Sequence, residues 1–152
     1  MHIVLVEPEI PQNTGNIART CALTKTTLHL VEPLGFSIQD RYLKRAGLDY
    51  WDKVEVRVWN DFWEVREHLA GSRFFLATTK GSLTYTAVDF RPDDVLVFGA
   101  ETRGLPDYIL QAFPTTQIRI PMIQIGRSLN LSNSVAIILY EGLRQMGFPG
   151  LK

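Results

Sequence analysis

Three segments of this 152-residue chain hold more Gly, Asn, Ser and Arg than ordinary connections need. In Asn13-Thr14-Gly15-Asn16-Ile17-Ala18-Arg19, Asn16 and Arg19 stand three apart, so a helix starting near Asn16 carries both on one face of its first turn. Free backbone N–H groups and a guanidinium there can hold a phosphate or a ribose. A capped helix with a solvated arginine fits the same spacing. The second segment, Phe98-Gly99-Ala100-Glu101-Thr102-Arg103-Gly104-Leu105-Pro106, follows an apolar run, and in open α/β sheets ligands bind outside the carboxyl ends of strands. Gly99 and Gly104 permit close backbone approach to a ligand, and Glu101 supplies a carboxylate for a cationic or hydroxyl-bearing group. The segment lacks the spacing of the dinucleotide fingerprint and of the phosphate loop. The third is Ile120-Pro121-Met122 followed by Gly126-Arg127-Ser128-Leu129-Asn130-Leu131-Ser132-Asn133-Ser134. Buried amides and hydroxyls require partners, so this stretch either braces loops or holds a ligand. Helix capping accounts for one or two of its polar residues, not easily for all.

Other chemistries find little support. His2, His29 and His68 are scattered, with no cysteine or second histidine near any of them, so no metal is expected. None of the three histidines is placed for acid–base work, and Ser128 lacks the Gly-x-Ser-x-Gly setting of a hydrolase nucleophile. Cys21 is the one cysteine, which excludes an intrachain disulfide, suits a reducing compartment and reads as a small buried thiol. These features favour a reaction that depends on positioning more than on strong acid or base.

The elements that must position the three segments alternate in type. Apolar, β-branched runs predict strands at 2–6, 27–31, 54–58, 73–78, 95–98 and 117–120. Residues 9–15 read as a loop and 16–25 as a helix with Ile17, Cys21 and Thr24 on one face and Arg19 on another. Shorter helices are expected at 41–46, broken at Gly47, at 61–69 behind an Asp61 cap, and at 105–112 started by Pro106. The last helix carries Val135, Ile138, Leu139, Leu143 and Met146 as a helical stripe, with Ser132 or Asn133 as its cap and Gly147 at its end. This alternation predicts one α/β domain over residues 1–152, a mainly parallel sheet flanked by helices. Hydrophobic residues make up 45%, enough for a single core. No apolar run approaches about 18 residues and no charged leader precedes the first strand, so no membrane association and a cytoplasmic location are expected. Sixteen Lys and Arg balance sixteen Asp and Glu. RNA binding would therefore need a local basic patch or symmetry between subunits.

Taken in order, Asn13 to Arg19, Phe98 to Glu101, and Ile120-Pro121-Met122 followed by Ser128-Leu129-Asn130-Leu131-Ser132 resemble the SPOUT superfamily of RNA methyltransferases. The likeness is strongest to the branch that methylates the 2′-hydroxyl of cytidine or uridine 34 in tRNA, with leucine tRNAs as the expected substrates. Glu7-Pro8-Glu9-Ile10-Pro11, Arg45-Ala46-Gly47-Leu48-Asp49-Tyr50, Thr79-Lys80-Gly81, Glu101 to Pro106 and Tyr140-Glu141 support it, and the resemblance covers essentially the whole chain. The lack of an RNA-binding extension is similar to this minimal branch.

The resemblance implies a C-terminal trefoil knot, a rare exception to unknotted chains, and a homodimer. It implies S-adenosyl-L-methionine as cofactor and S-adenosyl-L-homocysteine as product. Backbone groups near Ala77, Gly99 and Ile120 would cradle adenine and ribose, Met122 and Leu129 would be apolar neighbours, and Ser128, Gly104 and Glu101 further contacts. Arg19, with Asn16 in support and Glu101 at the methionine end or bracing its loop, would form the catalytic set; Asn130 and Tyr140 rank behind them. Because a guanidinium seldom releases its proton, Arg19 would orient the hydroxyl and an adjacent phosphate and stabilise developing negative charge. The reaction is an in-line attack of ribose oxygen on a sulfonium methyl, where alignment can remove roughly 7–11 kcal/mol of barrier. Arg41, Lys44 and Arg45 on one helical face, Arg103 and Arg127 on the site loops, and Tyr140 would contact the anticodon stem-loop, although a solvated helix fits the first three equally. A 2′-O-methyltransferase of another tRNA or ribosomal RNA site, and a non-catalytic RNA-binding factor of the same fold, remain the alternatives.

Overall fold

Strand β1 (His2–Val6) sets the layering, because both of its faces are apolar. Ile3 and Leu5 enter one core, Val4 and Val6 the other. A strand buried on both sides needs helices over each face, the usual condition of a parallel sheet. The computed structural model describes residues 1–39, 41, 43, 45 and 50–152. In it, β1, β2 (Thr27–Val31), β3 (Val56–Trp59), β4 (Phe74–Ala77), β5 (Leu83–Thr84), β6 (Val95–Phe98) and β7 (Gln117–Arg119) form a seven-stranded sheet in the order β3-β2-β1-β6-β4-β7-β5. Every pairing between these strands is parallel.

Helices α1 (Pro11–Thr24) and α4 (Leu131–Gln145) cover one face. Ile17, Ala18 and Cys21 pack there with Val135, Ile138, Leu139 and Leu143 over Leu28, Leu30, Leu96 and Phe98. The thiol of Cys21 is enclosed, and burial pushes its pKa up to about 12, which leaves it unreactive. Helices α2 (Phe62–His68) and α3 (Asp107–Ala112) cover the other face, placing Phe62, Val65 and Ile109 on Val31, Leu76, Val95 and Val97. As expected, the Asp61 carboxylate accepts from the Glu64 N–H and caps α2. No described helix is long and apolar enough to cross a membrane.

Several boundaries differ from expectation. Helix α1 starts at Pro11, so Asn13, Thr14 and Gly15 lie in its first turns instead of a loop; a proline whose missing N–H costs nothing there opens it. Helix α4 is capped by Asn130, whose side chain accepts from the N–H groups of Ser132 and Asn133, the two residues expected to cap it. A 3-10 turn at Trp51–Lys53 delays β3 to Val56, and the two-residue β5 is too short to leave a pattern. Strands β4 and β7 are shorter than expected, and α3 follows Pro106. Arg41, Leu43 and Arg45 are helical, with Leu43 buried and both arginines exposed; Lys44, Ala46 and Gly47 lie outside the described residues.

The three histidines are not scattered in space. The Trp59 indole N–H donates to His29 Nδ1 at 3.1 Å, which leaves the proton of neutral His29 on Nε2, directed at His2 Nδ1 3.1 Å away. The His68 ring lies 4.9 Å from that of Trp59 and accepts from Arg57. Both ring nitrogens of His29 are thus engaged, and no group of three or more metal-ligating side chains occurs among the described residues.

Candidate active site

The sheet has one topological switch. From β1 the chain runs outward through β2 and β3, then returns on the far side, with β6 between β1 and β4. The loops leaving β1, β4, β6 and β7 therefore open at the same end, where a crevice is expected. A cavity of about 1300 Å³ lies there. Its wall contains every residue assigned to the cofactor from the sequence: Ala77, Gly99, Glu101, Gly104, Ile120, Met122, Ser128 and Leu129. Arg103 and Arg127, assigned to RNA, also line it. Asn16, Arg19 and Tyr140 do not; they are exposed on the outer faces of α1 and α4.

Glu101 joins the three polar segments. Its carboxylate accepts from the N–H of Glu9 at 2.7 Å, the N–H of Ile10 at 3.1 Å and Asn13 Nδ2 at 3.3 Å. Ile10 occupies the N-cap of α1 without a side-chain cap, so a carboxylate from a loop far along the chain closes that terminus. Asn13, almost fully buried, donates to Glu101 and accepts from Asn130 Nδ2 at 3.0 Å. Asn130 also receives the Ser132 hydroxyl at 2.6 Å, and its own carbonyl receives the Ser134 hydroxyl at 3.2 Å. One cap thus satisfies three polar side chains of the third segment, more than the one or two that spacing suggested. Asn13 has no sequence signal that marks it as a hub; its burial separates it from the exposed Asn16 and Arg19 of the same segment.

The two glycines of the second segment serve different needs. A Cβ on Gly99 would lie 2.0 Å from the carbonyl carbon of Gly104 and 2.2 Å from the N of Leu105. Gly99 is therefore required by the loop's own backbone, which doubles back through the Ala100–Gly104 bridge. Gly104 takes a φ of +68°, while nothing lies within 4 Å of the Cβ position it lacks. Opposite this loop, residues 121–130 are exposed throughout, including Ile123 and Ile125.

The cations of the site are held differently from one another. Arg103 is tied to Glu7 at 3.0 Å and Glu9 at 3.7 Å, with Thr102 Oγ1 also donating to Glu9 at 2.7 Å. Arg119 Nη1 donates to the carbonyls of Gly81 and Ser82, fixing the turn that follows the Ala77 wall; nothing in the sequence singled it out. The guanidinium of Arg19 rests on the ring of Tyr50, 4.8 Å from its centroid. Asn16 and Arg19 share an outward face of α1, as their spacing required, one to two turns beyond Asn13.

Residues 1–140 match the SpoU rRNA methylase family. A tRNA (cytidine(34)-2′-O)-methyltransferase of Methylovorus glucosotrophus is 54% identical over 149 residues, 97% of each chain. A solved structure described as "Structural insights into the 2-OH methylation of C/U34 on tRNA" superposes with a TM-score of 0.92 at 45% identity, covering 96% of this chain and 95% of that one. An AdoMet-bound rRNA methyltransferase from Sinorhizobium meliloti superposes with a TM-score of 0.84 at 26% identity, over 95% of this chain and 56% of its own.

Proposed function

The chain belongs to the SpoU rRNA methylase family, and on that premise we propose that it transfers a methyl group from S-adenosylmethionine to the ribose 2′-hydroxyl of cytidine or uridine 34 in tRNA. The observation that carries this reading is the meeting of the Gly99–Leu105 loop, the 120–130 loop and the first turn of α1 around one cavity. That cavity fits S-adenosylmethionine. Backbone groups at Ala77, Gly99 and Ile120 can pair with adenine and ribose, Met122 and Leu129 offer apolar contact, and Ser128 a hydroxyl. The open space beside Gly104 leaves room for a ligand against the backbone.

The cofactor supplies a methyl carbon made electrophilic by its sulfonium; the remaining work falls to the chain. Glu101 holds the start of α1 against the cavity loops through its three accepted hydrogen bonds. Arg19, supported by Asn16, binds the reacting ribose and its phosphate and stabilises charge as the hydroxyl loses its proton. Both residues lie outside the cavity of their own chain, which argues for a homodimer in which a second copy completes the site. Leu23 and Ile137, exposed on α1 and α4, give such a pairing apolar area. Arg41, Lys44, Arg45, Arg103, Arg127 and Tyr140 serve the anticodon stem-loop, and residues 1–152 act as one domain whose C-terminal part forms the knot. A cytoplasmic location accords with a tRNA substrate.

The test is incubation with methyl-labelled S-adenosylmethionine and total tRNA, followed by locating the label. Ribose 34 is expected to carry it; label on a base, or on another nucleotide, overturns the assignment. Arg19→Ala is expected to reduce transfer by about 100-fold or more while calorimetric binding of S-adenosylhomocysteine is unchanged.

A further inference from the structure

We propose that Tyr50 is the positioning residue for Arg19, holding its guanidinium by the face so that its donor edges stay open to the substrate; the inference rests on the role given to Arg19 above. Among the described residues, Arg57, Arg73, Arg103 and Arg144 are all fixed by carboxylates. Arg19 differs: its described partner is the ring of Tyr50 at 4.8 Å. The chemistry of the two arrangements is not equivalent. A carboxylate occupies the N–H edge of a guanidinium and neutralises it, so an incoming phosphate must first displace it. An aromatic face attracts the cation through the ring quadrupole, limits the swing of a long side chain and leaves the in-plane N–H donors unspent.

Tyr50 is built to be a fixed platform. Its ring is partly buried, its carbonyl accepts from the Lys53 N–H at 2.9 Å, and the following Trp51 packs against the main core. The 3-10 turn it precedes also lies against α1, the helix that carries Arg19. The exposed Arg41 and Arg45 are helical just before Tyr50.

The experiment measures kcat and KM for tRNA in Tyr50→Leu and Tyr50→Phe, and repeats Tyr50→Leu in an Arg19→Lys background. Loss of the ring is expected to lower kcat roughly 5- to 30-fold, the range of one cation–π contact expressed in the transition state, with KM and S-adenosylhomocysteine affinity little changed. Tyr50→Phe, which keeps the ring, is expected to restore kcat. In the Arg19→Lys background the second substitution is expected to add a smaller loss, because an ammonium still meets the ring face but has no planar donor edge for the ring to orient. Full kcat in Tyr50→Leu, an equal loss in Tyr50→Phe, or an undiminished loss in the lysine background would each overturn the proposal. If the leucine variant does not fold by circular dichroism, Tyr50→Met reads the same quantity. The two levels separate cleanly: active Arg19→Ala removes the role of Arg19 itself, whereas inactive Arg19→Ala beside active Tyr50→Leu removes only the role of Tyr50.

Discussion

Two networks of polar side chains, each centred on one buried residue, bind distant parts of this sheet together, and they differ in what they leave over. At the outer strands, Trp59 donates to His29 and His29 to His2, a directed chain that lies outside the lining of the large cavity. At the carboxyl ends of the central strands, Glu101, Asn13 and Asn130 are bonded just as fully to one another, but they stand in the wall of a space of about 1300 Å³. Both obey the rule that enclosed polar groups need partners. Satisfaction of hydrogen bonds therefore does not distinguish a structural network from a functional one; the neighbouring room, lined by strand ends and an exposed loop, does.

The sharpest way to break that comparison is at the cavity loop. Gly99→Val sets side-chain atoms against backbone that cannot retreat independently, and is expected to cost more than the about 1–3 kcal/mol of ordinary overpacking, with binding of S-adenosylhomocysteine lost in calorimetry and a lowered Tm. Gly104→Ala meets no neighbour and should cost only about 1–2 kcal/mol through its left-handed backbone. Equal effects of the two would contradict the crowding seen at Gly99. Asn13→Leu comes next. It leaves Glu101 and Asn130 each short of a partner, costing about 1–3 kcal/mol, and the loss is expected in cofactor-product affinity as well as in Tm.

The smallest effect belongs to the other network. Burial, then the neighbouring His2, lowers the pKa of His29 to about 3, and burial likewise lowers that of His2. The unfolded chain binds protons on these rings near pH 6.5 while the folded chain does not, so the stability they contribute is complete above that pH and is lost as pH falls towards 3. Thermal melts between pH 7 and 4 should show a falling Tm, with a shallower slope in His29→Phe and no change in methyl transfer at neutral pH. An unaltered slope in that variant would separate the histidine chain from the acid response.

Much of this molecule is written locally. The apolar runs of β1, β2 and β6 and the stripe on α4 depend on their own side chains meeting water or core, and the sequence shows them directly. Gly99, Glu101 and Gly104 stand out in their glycine turn in the same way, whereas Ala77, Ile120, Met122, Ser128 and Leu129 came from the likeness to the family. What escaped depends on partners far away in the chain. The start of α1 is closed by a carboxylate 92 positions from Glu9, and Asn13 meets Asn130 across 117 positions, so no window of sequence displays either bond. The histidine chain escaped for the same reason, since strand order, not spacing, brings β1, β2 and β3 side by side. The placement of Arg19 was half legible: its helical face followed from spacing, its ring partner did not.

Arg103 already carries its own counterions in the form of Glu7 and Glu9. A phosphate arriving there would exchange one anion for another instead of expelling bulk salt, and counterion release is what makes nucleic-acid affinity fall with ionic strength. This cation would then weigh little in the salt dependence of tRNA binding, however close the phosphate comes, and the freed carboxylates would turn their charge towards the strand just bound.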